Sequence, residues 1–279
     1  MKLVTTIAEV REMVNTWKQA GKTIGLVPTM GYLHEGHQSL IQKAHAENDE
    51  VVVSVFVNPT QFSANEDLSS YPRSIENDQE KSAAAGASLI FHPAVAEMYP
   101  EGFHTYVEAF GVTEVLEGAS RPTHFRGVTT VVGKLFNIVQ PTRAYFGQKD
   151  AQQVAVIEQM VRDLNFPVEI VRCPIIREAD GLAKSSRNVY LSSEERQAAL
   201  VLSQALGLAK NLLEQGETSA EKIIQEMTEK IQQEPLAVID YIKVVDNQTL
   251  QDVARIEKPV LIPIAVRIGQ TRLIDNVVF

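Results

Sequence analysis

The chain has 279 residues, of which 44% are hydrophobic and 22% charged, a balance typical of a folded globular protein and unlike an intrinsically disordered one. At roughly 150 residues per domain, this length predicts two domains or one large one. The 35 acidic residues outnumber the 26 basic ones and leave a formal charge of −9. Nucleic-acid binding is therefore not expected, because it needs an excess of phosphate-neutralising side chains.

Cysteine content and hydropathy predict the compartment. Cys173 is the single cysteine, which excludes an intrachain disulfide and favours a reducing compartment. The N-terminus lacks the apolar run of a signal peptide, and no stretch reaches the ~18–20 apolar residues of a membrane span. We expect a cytoplasmic protein with no membrane contact.

Helical and strand-like segments alternate over the first 175 residues. The nearly uniform β-branched run at 51–57 is typical of a strand that is covered on both faces. Strands separated by helices of 10–15 residues predict an α/β fold with a Rossmann-like, doubly wound parallel sheet, whose ligands bind at the carboxyl ends of the strands. The predicted strands are 23–27, 51–57, 88–92, 144–146 and 168–172, and the predicted helices are 6–20, 37–46, 73–85, 127–139 and 151–164.

The pattern changes after about residue 175. Residues 192–216 and 218–234 predict two amphipathic helices, and strands are predicted at 239–245, 260–268 and 272–274. Gly269 and Gln270 fit a type II′ turn between the last two strands. We therefore predict a Rossmann-like domain at 1–175 and a smaller C-terminal α+β domain at 176–279. The polar segment 58–71, which follows a predicted strand, is a candidate lid.

The first motif with chemical content is P-T-M-G-Y-L-H-E-G-H at 28–37. Its glycines allow a ligand to approach the backbone, and the following helix N-terminus offers N–H donors to an anion. His34 and His37 could donate hydrogen bonds to phosphate oxygens as charge builds in a transition state. The H-E-G-H spacing is one residue short of the zinc-binding H-E-x-x-H, so we do not expect a metal there.

Two further motifs bring cations and donors to predicted strand ends and loops. Gly147-Gln148-Lys149-Asp150 lies between a strand and a helix, where Lys149 could reach phosphates as a point charge. The polar loop at 180–188 contains Lys184-Ser185-Ser186-Arg187, two hydroxyls between two cations, which suits a polyphosphate. Each motif alone is weak, and their combination in an acidic chain predicts a nucleotide site.

In combination these residues resemble the pantothenate synthetase (pantoate–β-alanine ligase) family, part of the nucleotidyltransferase superfamily related to class I aminoacyl-tRNA synthetases. The H-E-G-H segment is similar to the superfamily H-x-G-H signature, and Lys184–Arg187 is similar to its mobile K-M-S-K-S loop, although many family members carry an apolar residue at the position of Lys184. The other matching blocks are 57–62, 71–73, 121–125 and 146–150.

The resemblance implies an ATP-dependent condensation of pantoate with β-alanine through a pantoyl adenylate, with Mg²⁺ accompanying ATP and a homodimeric assembly. It implies catalytic roles for His37, His34 and Lys149, substrate contacts from Gln61, Gln153 and Asn58, and a magnesium contact from Asp78. The implied ATP-binding residues are Met30, Gly31, Tyr32, Leu33, His34, Glu35, Gly36, His37, Gly147, Gln148, Lys149, Asp150, Ile176, Lys184, Ser185, Ser186 and Arg187.

Three other functions are compatible with parts of this pattern. A nucleotidyltransferase that stops after transferring AMP to a phosphate ester would need more cations near the acceptor than the neutral Gln61 and Gln153 supply. A non-catalytic nucleotide-binding module would not need the pair His34 and His37. A tRNA-charging role is disfavoured by the acidic composition and by the lack of an anticodon-binding extension.

Overall fold

A computed structural model describes residues 1–63, 68–257 and 259–279 of the chain, which divides into two compact units. The first unit contains Met1–Gly147 and Val156–Pro174, and the second contains Gln148–Ala155 and Ile175–Phe279. The domain boundary near residue 175 stays a prediction, to which the structure adds that Gln148–Ala155 groups with the second unit. Residues 64–67 of the predicted lid lie outside the described residues.

The first unit contains a parallel sheet of six strands in the order β1-β4-β3-β2-β5-β6, and this arrangement confirms the predicted α/β class. The strand order reverses between β2 and β5, and a doubly wound sheet binds ligands at the carboxyl ends of the strands beside such a reversal. The strands are β1 (Lys2–Val4), β2 (Ile24–Thr29), β3 (Glu50–Val55), β4 (Leu89–Phe91), β5 (Arg143–Gly147) and β6 (Glu169–Cys173).

Helices connect these strands. A capping box starts α1, since the Thr6 side chain and Glu9 satisfy each other's backbone N–H groups. No helix in the described ranges is both long and apolar enough to cross a membrane. The helices are α1 (Ile7–Gln19), α2 (Glu35–Glu47), α3 (Ile75–Ala84), α4 (Val95–Met98), α5 (Glu117–Ser120), α6 (His124–Val139) and α7 (Ala151–Asp163).

Helix α2 packs on the centre of the sheet. Val51, Val53 and Val55 of β3 are at most 4% exposed and form one apolar cluster with Ile41 and Ala44 of α2. Burial of this β-branched run supplies hydrophobic stabilisation at the middle of the sheet. The packing fixes the position of α2 relative to β2 and β3, and with it the turn that leads into the helix.

The second unit combines helices with an antiparallel sheet and confirms the predicted α+β character. The sheet buries one face against α9 and α10. Gly269 has φ of +57°, as the first position of the predicted type II′ turn requires. The elements are α8 (Ser193–Ala198), α9 (Leu200–Glu214), α10 (Ala220–Gln232), β7 (Ala237–Ile242), β8 (Val245–Asp246), β9 (Val260–Ile268) and β10 (Thr271–Val278).

Several element bounds differ from the predicted ones. The helix predicted at 192–216 is divided at Ala199, where ψ of −19° is closer to a 3₁₀ than to an α conformation. Helix α10 is capped by Ser219 instead of Thr218, and α2 begins at Glu35 instead of 37. Strand β1 was not predicted because it is only three residues long.

Cys173, at the end of β6, provides a probe of the packing of the first unit. The residue is 2% exposed, and burial raises the pKa of its thiol to about 11. At pH 8 about one thiol in a thousand is then ionised, and only the thiolate attacks disulfide reagents. We expect native protein to react far more slowly with Ellman's reagent than free N-acetylcysteine, and guanidinium-unfolded protein to release one equivalent per chain. Rapid modification of the native protein would contradict this packing.

Candidate active site

The turn between β2 and α2 has an unusual backbone conformation. Gly31 and Tyr32 are both left-handed, with φ of +84° and +51°. Glycine is required at the first position, because a Cβ atom there would lie 2.7 Å from Oδ2 of Asp78 and 3.0 Å from Val55. A non-glycine residue at positive φ is uncommon, so Tyr32 needs support from its surroundings.

That support comes from α3. The two carboxylate oxygens of Asp78 accept hydrogen bonds from the backbone N–H groups of Tyr32, at 2.9 Å, and Leu33, at 2.7 Å. Asp78 is 1% exposed, so these charge-assisted bonds compensate for the burial of its carboxylate. One turn further along α3, Lys81 Nζ donates to the carbonyl of Leu33 at 2.6 Å. Helix α3 thus holds both polar groups of the Leu33 backbone.

The two histidines of the motif cap helix α2. Nδ1 of His34, the N-cap residue, accepts a hydrogen bond from Gly36 N–H at 3.1 Å, and Nδ1 of His37 accepts one from His34 N–H at 3.2 Å. The ring centroids lie 4.1 Å apart. The sequence prediction started the helix at His37, the second histidine of the pair, because histidine is not a usual capping residue.

The capping geometry determines which ring nitrogen carries the hydrogen. A neutral imidazole has one N–H donor and one acceptor nitrogen, and Nδ1 is the acceptor in both rings. Nε2 is therefore the hydrogen-bearing nitrogen of both His34 and His37. The structure thus brings together two half-buried imidazoles, each with a defined donor, at the N-terminus of a 13-residue helix.

A second polar group in the first unit surrounds Gln61, which is 8% exposed. Its Nε2 lies 3.2 Å from Met30 Sδ, and its Oε1 accepts a hydrogen bond from Asn58 Nδ2 at 3.1 Å. Asn58 Nδ2 also donates to Gly127 O, and its Oδ1 accepts from the Tyr99 hydroxyl at 2.8 Å. Burial raises the pKa of Tyr99, which keeps this hydroxyl protonated as a donor.

These contacts give Asn58 a supporting role. It is 1% exposed, and both of its polar atoms are engaged by protein groups. In this structure Asn58 orients Gln61, whereas the sequence predicted a direct substrate contact for both residues. The substrate contacts themselves stay predictions.

A cavity of about 450 Å³ lies beyond the carboxyl ends of β3 and β4. It is mostly apolar, and Arg73, Glu76 and Asp78 are the charged residues of its wall. Concave apolar surfaces with few polar groups are typical of small-molecule sites. Other residues of its wall are Met30, Val57, His92 and Val95.

In the second unit, Gln148–Asp150 forms a 3₁₀ turn that leads into α7. Lys149 Nζ lies 3.4 Å from Asp150 Oδ1, and Gln153 is half-buried in the first turn of α7. Before the turn, among the described residues, no atom beyond the two chain neighbours would lie within 4 Å of a Cβ at Gly147, so a ligand could approach the backbone there.

The loop that carries Lys184–Arg187 follows a short hairpin in which Arg177 pairs with Ala183. Lys184 N–H donates to Ile176 O at 2.9 Å, and the Ser185 hydroxyl accepts from Arg187 N–H at 3.3 Å and caps a 3₁₀ helix at Ser186–Tyr190. The predicted phosphate-binding side chains are all half-buried. The structure therefore supplies a backbone support for this loop, and the placement of its side chains against a nucleotide stays a prediction.

Arg196 of α8 holds the base of this hairpin. Its Nη2 lies 2.7 Å from Glu178 Oε2 and 2.9 Å from Asp180 Oδ2. The hydrogen bond from Arg196 holds the pKa of Asp180 below its usual value. Arg196 was not singled out in the sequence, because a charged residue in the first turns of a helix is usually a solvated one.

The described residues do not fit a protein-held magnesium ion. Asp78 has both carboxylate oxygens engaged by backbone N–H groups, and within the described ranges no three His, Cys, Asp or Glu side chains are grouped to hold a metal ion. Mg²⁺ prefers several oxygen ligands in octahedral geometry. The geometry shows that Asp78 holds the turn, and its predicted magnesium contact stays a prediction.

The fold and these groups define a class: a doubly wound α/β protein with hydrogen-bond donors for an anion after its second strand. Comparisons with known proteins identify the family. The family model described as pantoate-beta-alanine ligase matches residues 2–278. Pantothenate synthetases from Acetivibrio thermocellus and Enterococcus faecalis are 58% and 59% identical over 278 and 279 residues, which is 100% of this chain and 99% of each relative.

Solved structures show the same likeness. The crystal structure of pantothenate synthetase from Thermus thermophilus covers 99% of both chains at 47% identity, with a TM-score of 0.95. Pantoate-beta-alanine ligase from Francisella tularensis, described as complexed with beta-gamma ATP and beta-alanine, matches at 36% identity over 99% of this chain and 97% of its own, with a TM-score of 0.80. The chain belongs to the pantoate–β-alanine ligase family, and the resemblance seen in its motifs is confirmed.

We expect Asp78→Asn to destabilise the protein by about 1–3 kcal/mol, because an amide NH₂ would face one of the two backbone N–H groups that the carboxylate now accepts. Guanidinium unfolding would measure the loss. Asp49→Asn is a matched control, since Asp49 also accepts a backbone N–H, from Thr23 at 2.8 Å, but is exposed. Equal stabilities of the two variants would remove the buried carboxylate as the support of the turn.

Proposed function

We propose that the chain catalyses the ATP-dependent condensation of pantoate with β-alanine, which gives pantothenate, AMP and pyrophosphate through a pantoyl adenylate. The observation that carries this proposal is the pair of imidazoles at the N-terminus of α2, with Nε2 as the hydrogen-bearing nitrogen of each ring. Membership of the family and the Francisella tularensis relative complexed with an ATP ligand and beta-alanine support it.

In the first step, a carboxylate oxygen of pantoate attacks the α-phosphorus of ATP, and the bond to the pyrophosphate leaving group breaks. Negative charge builds on the phosphoryl oxygens during this step. Donors that are already oriented stabilise such charge without reorganisation, and this is the role we assign to His34 and His37. Lys149 adds a positive charge to the same step.

In the second step, the amine of β-alanine attacks the activated carbonyl carbon and AMP leaves. Activation is needed because a free carboxylate is a poor electrophile toward an amine. Gln61 and Gln153 are proposed to hold pantoate. Neutral amides orient polar groups without forming an ion pair that would weaken the carboxylate as a nucleophile.

The ATP contacts are carried over from the sequence as proposals. Among the glycines, Gly147 leaves room for a phosphate near the backbone, and the cations of the loop neutralise charge. Together with His34, His37 and Lys149, the proposed ATP-binding residues are Met30, Gly31, Tyr32, Leu33, Glu35, Gly36, Gly147, Gln148, Asp150, Ile176, Lys184, Ser185, Ser186 and Arg187.

Magnesium enters this proposal as part of the nucleotide. Mg²⁺ usually binds through substrate phosphates and water with one or two carboxylates at most, so MgATP fits a chain whose Asp78 is engaged elsewhere. We expect the Mg²⁺ concentration for half-maximal activity to be the same in wild type and Asp78→Asn once both are corrected for folded fraction. A strongly increased requirement in Asp78→Asn would instead support a direct magnesium contact.

A homodimer and a cytoplasmic location complete the proposal. The dimer rests on the family resemblance, and light scattering after gel filtration would test it. The cytoplasmic location rests on the lone buried Cys173, which needs no oxidising compartment.

The double role of His37 can be separated with two variants. Its Nδ1 caps the helix, whereas Nε2 is the proposed donor. Asn places an oxygen near the Nδ1 position and nothing near Nε2, so His37→Asn should keep the cap. We expect it to lower the rate of adenylation ~10²–10³-fold, the typical effect of losing one preorganised donor. Pantoate-dependent ATP–pyrophosphate exchange measures this step with β-alanine omitted.

His37→Ala is the comparison for stability. It removes both nitrogens, so it should lose about 0.5–2 kcal/mol of stability relative to His37→Asn while showing a similar rate defect. Near-wild-type exchange in either variant would remove His37 from the mechanism. Absence of exchange in the wild-type protein, with no AMP formed on addition of β-alanine, would overturn the proposed function and favour a nucleotide-binding module.

A further inference from the structure

Strand β10 contains two consecutive buried polar residues, Asp275 and Asn276, each 3% exposed. Successive side chains of a strand lie on opposite faces, so the pair places one polar group on each side of β10. Burying a carboxylate and an amide costs free energy unless both are hydrogen-bonded. Their hydrogen-bond partners therefore indicate the structural role of the two residues.

The side-chain amide of Asn276 forms hydrogen bonds with the 3₁₀ turn before α7. Nδ2 donates to the carbonyls of Gln148, at 2.9 Å, and Lys149, at 3.0 Å. Oδ1 accepts a bond from Gln148 Nε2 at 3.3 Å. Two successive peptide groups and one side chain of the turn are thus held by a single amide, which fixes the backbone from which Lys149 projects.

The carboxylate of Asp275 binds the hairpin before the Lys184–Arg187 loop. It binds Arg177 through two parallel bonds, from Nη1 at 2.6 Å and from Nη2 at 2.9 Å. Arg177 Nη1 also donates to Gly181 O at 3.1 Å, and Arg177 pairs with Ala183 across the hairpin. The bidentate geometry fixes the orientation of the guanidinium group as well as its position.

Two neighbouring residues of one strand therefore hold the two segments of the second unit that carry the proposed ATP-binding cations. We propose that Asp275 and Asn276 are positioning residues for ATP. Because they are adjacent on β10, they hold the Gln148–Lys149 turn and the base of the Lys184–Arg187 loop at a fixed distance from each other. The proposal rests on the proposed function, since it assigns a purpose to those two segments. Neither residue belongs to the motifs that identified them.

The first test is Asn276→Asp, which keeps the shape of the side chain and replaces the NH₂ donor with an acceptor. A carboxylate oxygen would then face the two carbonyls of the turn, and the turn would lose its support. In pantoate-dependent ATP–pyrophosphate exchange we expect kcat/KM for ATP to fall about tenfold, the effect of losing one or two hydrogen bonds. In the complete reaction the KM for β-alanine should be unchanged.

The second test makes the same substitution at two arginine-bound aspartates of the sheet, of which Asp275 is buried and Asp240 partly exposed. Asp275→Asn and Asp240→Asn each convert an arginine-bound carboxylate to an amide, and Asp240 on β7 binds Arg272 Nε at 2.7 Å without a contact to either segment. We expect Asp275→Asn to lower kcat/KM for ATP and Asp240→Asn to leave it at the wild-type value. Thermal unfolding shows that each assay is run on folded protein.

Unchanged kcat/KM for ATP in Asn276→Asp and Asp275→Asn, as in the Asp240→Asn control, would overturn the proposal. A fall in kcat/KM for ATP accompanied by an equal rise in the KM for β-alanine would also overturn it, because a general loss of structure would explain both. If Asn276→Asp does not fold, the comparison of Asp275→Asn with Asp240→Asn decides alone.

Failure of the proposed function would be seen separately, as wild-type protein that shows no exchange. In that case calorimetry with a β,γ-nonhydrolysable ATP analogue tests the positioning role directly. Weaker binding of the analogue by Asn276→Asp than by Asp240→Asn supports the role. Equal binding by the two variants overturns it.

Discussion

The buried carboxylate of Asp78 is the constraint on which the first half of the site depends. Two successive left-handed residues, Gly31 and Tyr32, are unfavourable unless the surroundings determine them, and the hydrogen bonds from Tyr32 N–H and Leu33 N–H to Asp78 do so. Helix α2 can then begin at Glu35, directly after the turn, with its N-terminus beside the carboxyl ends of the strands. The buried, doubly bonded carboxylate thus supports the backbone on which this half of the site is built.

The two histidines also support the backbone, and each has a second nitrogen that is a proposed donor. The N-cap of a helix is usually Ser, Thr, Asp or Asn, whose short side chains end at or near the atom that accepts the hydrogen bond. An imidazole instead has a second nitrogen, so that His34 and His37 satisfy backbone N–H groups with Nδ1 and keep Nε2 as a donor. Each capping bond also prevents the ring from flipping, which orients the donor before any ligand arrives. Local helix formation and the orientation of the proposed catalytic groups are therefore one interaction.

The sequence predicted the fold class, the order of the main elements and the turns that carry the motifs, because alternation of apolar segments and glycine-rich strand ends are local signals. It did not predict β1, whose three residues are too few for a pattern, nor the division of the long helix at Ala199, where no residue type marks the change. The start of α2 was placed two residues late for the chemical reason already given. It also missed the supporting contacts of Asp78 and Asn58, whose predicted ligand contacts stay predictions, since a polar side chain near a motif looks the same in sequence whether it faces a ligand or a backbone amide.

The supporting residues of the second unit show why contacts between distant parts of the chain could not be predicted from the sequence. Asn276 lies 128 residues from Gln148 along the chain, and no spacing rule connects two positions that meet only after the sheet has formed. A signal was nevertheless present: the predicted last strand stopped at 274 because two polar residues follow, yet β10 continues to Val278 and buries both of them. A buried Asp-Asn pair flanked by apolar residues of a strand implies hydrogen-bond partners, since an unpartnered pair would destabilise the sheet. Interruptions of strand alternation thus mark positions where a regular element supports a site built on loops elsewhere in the chain.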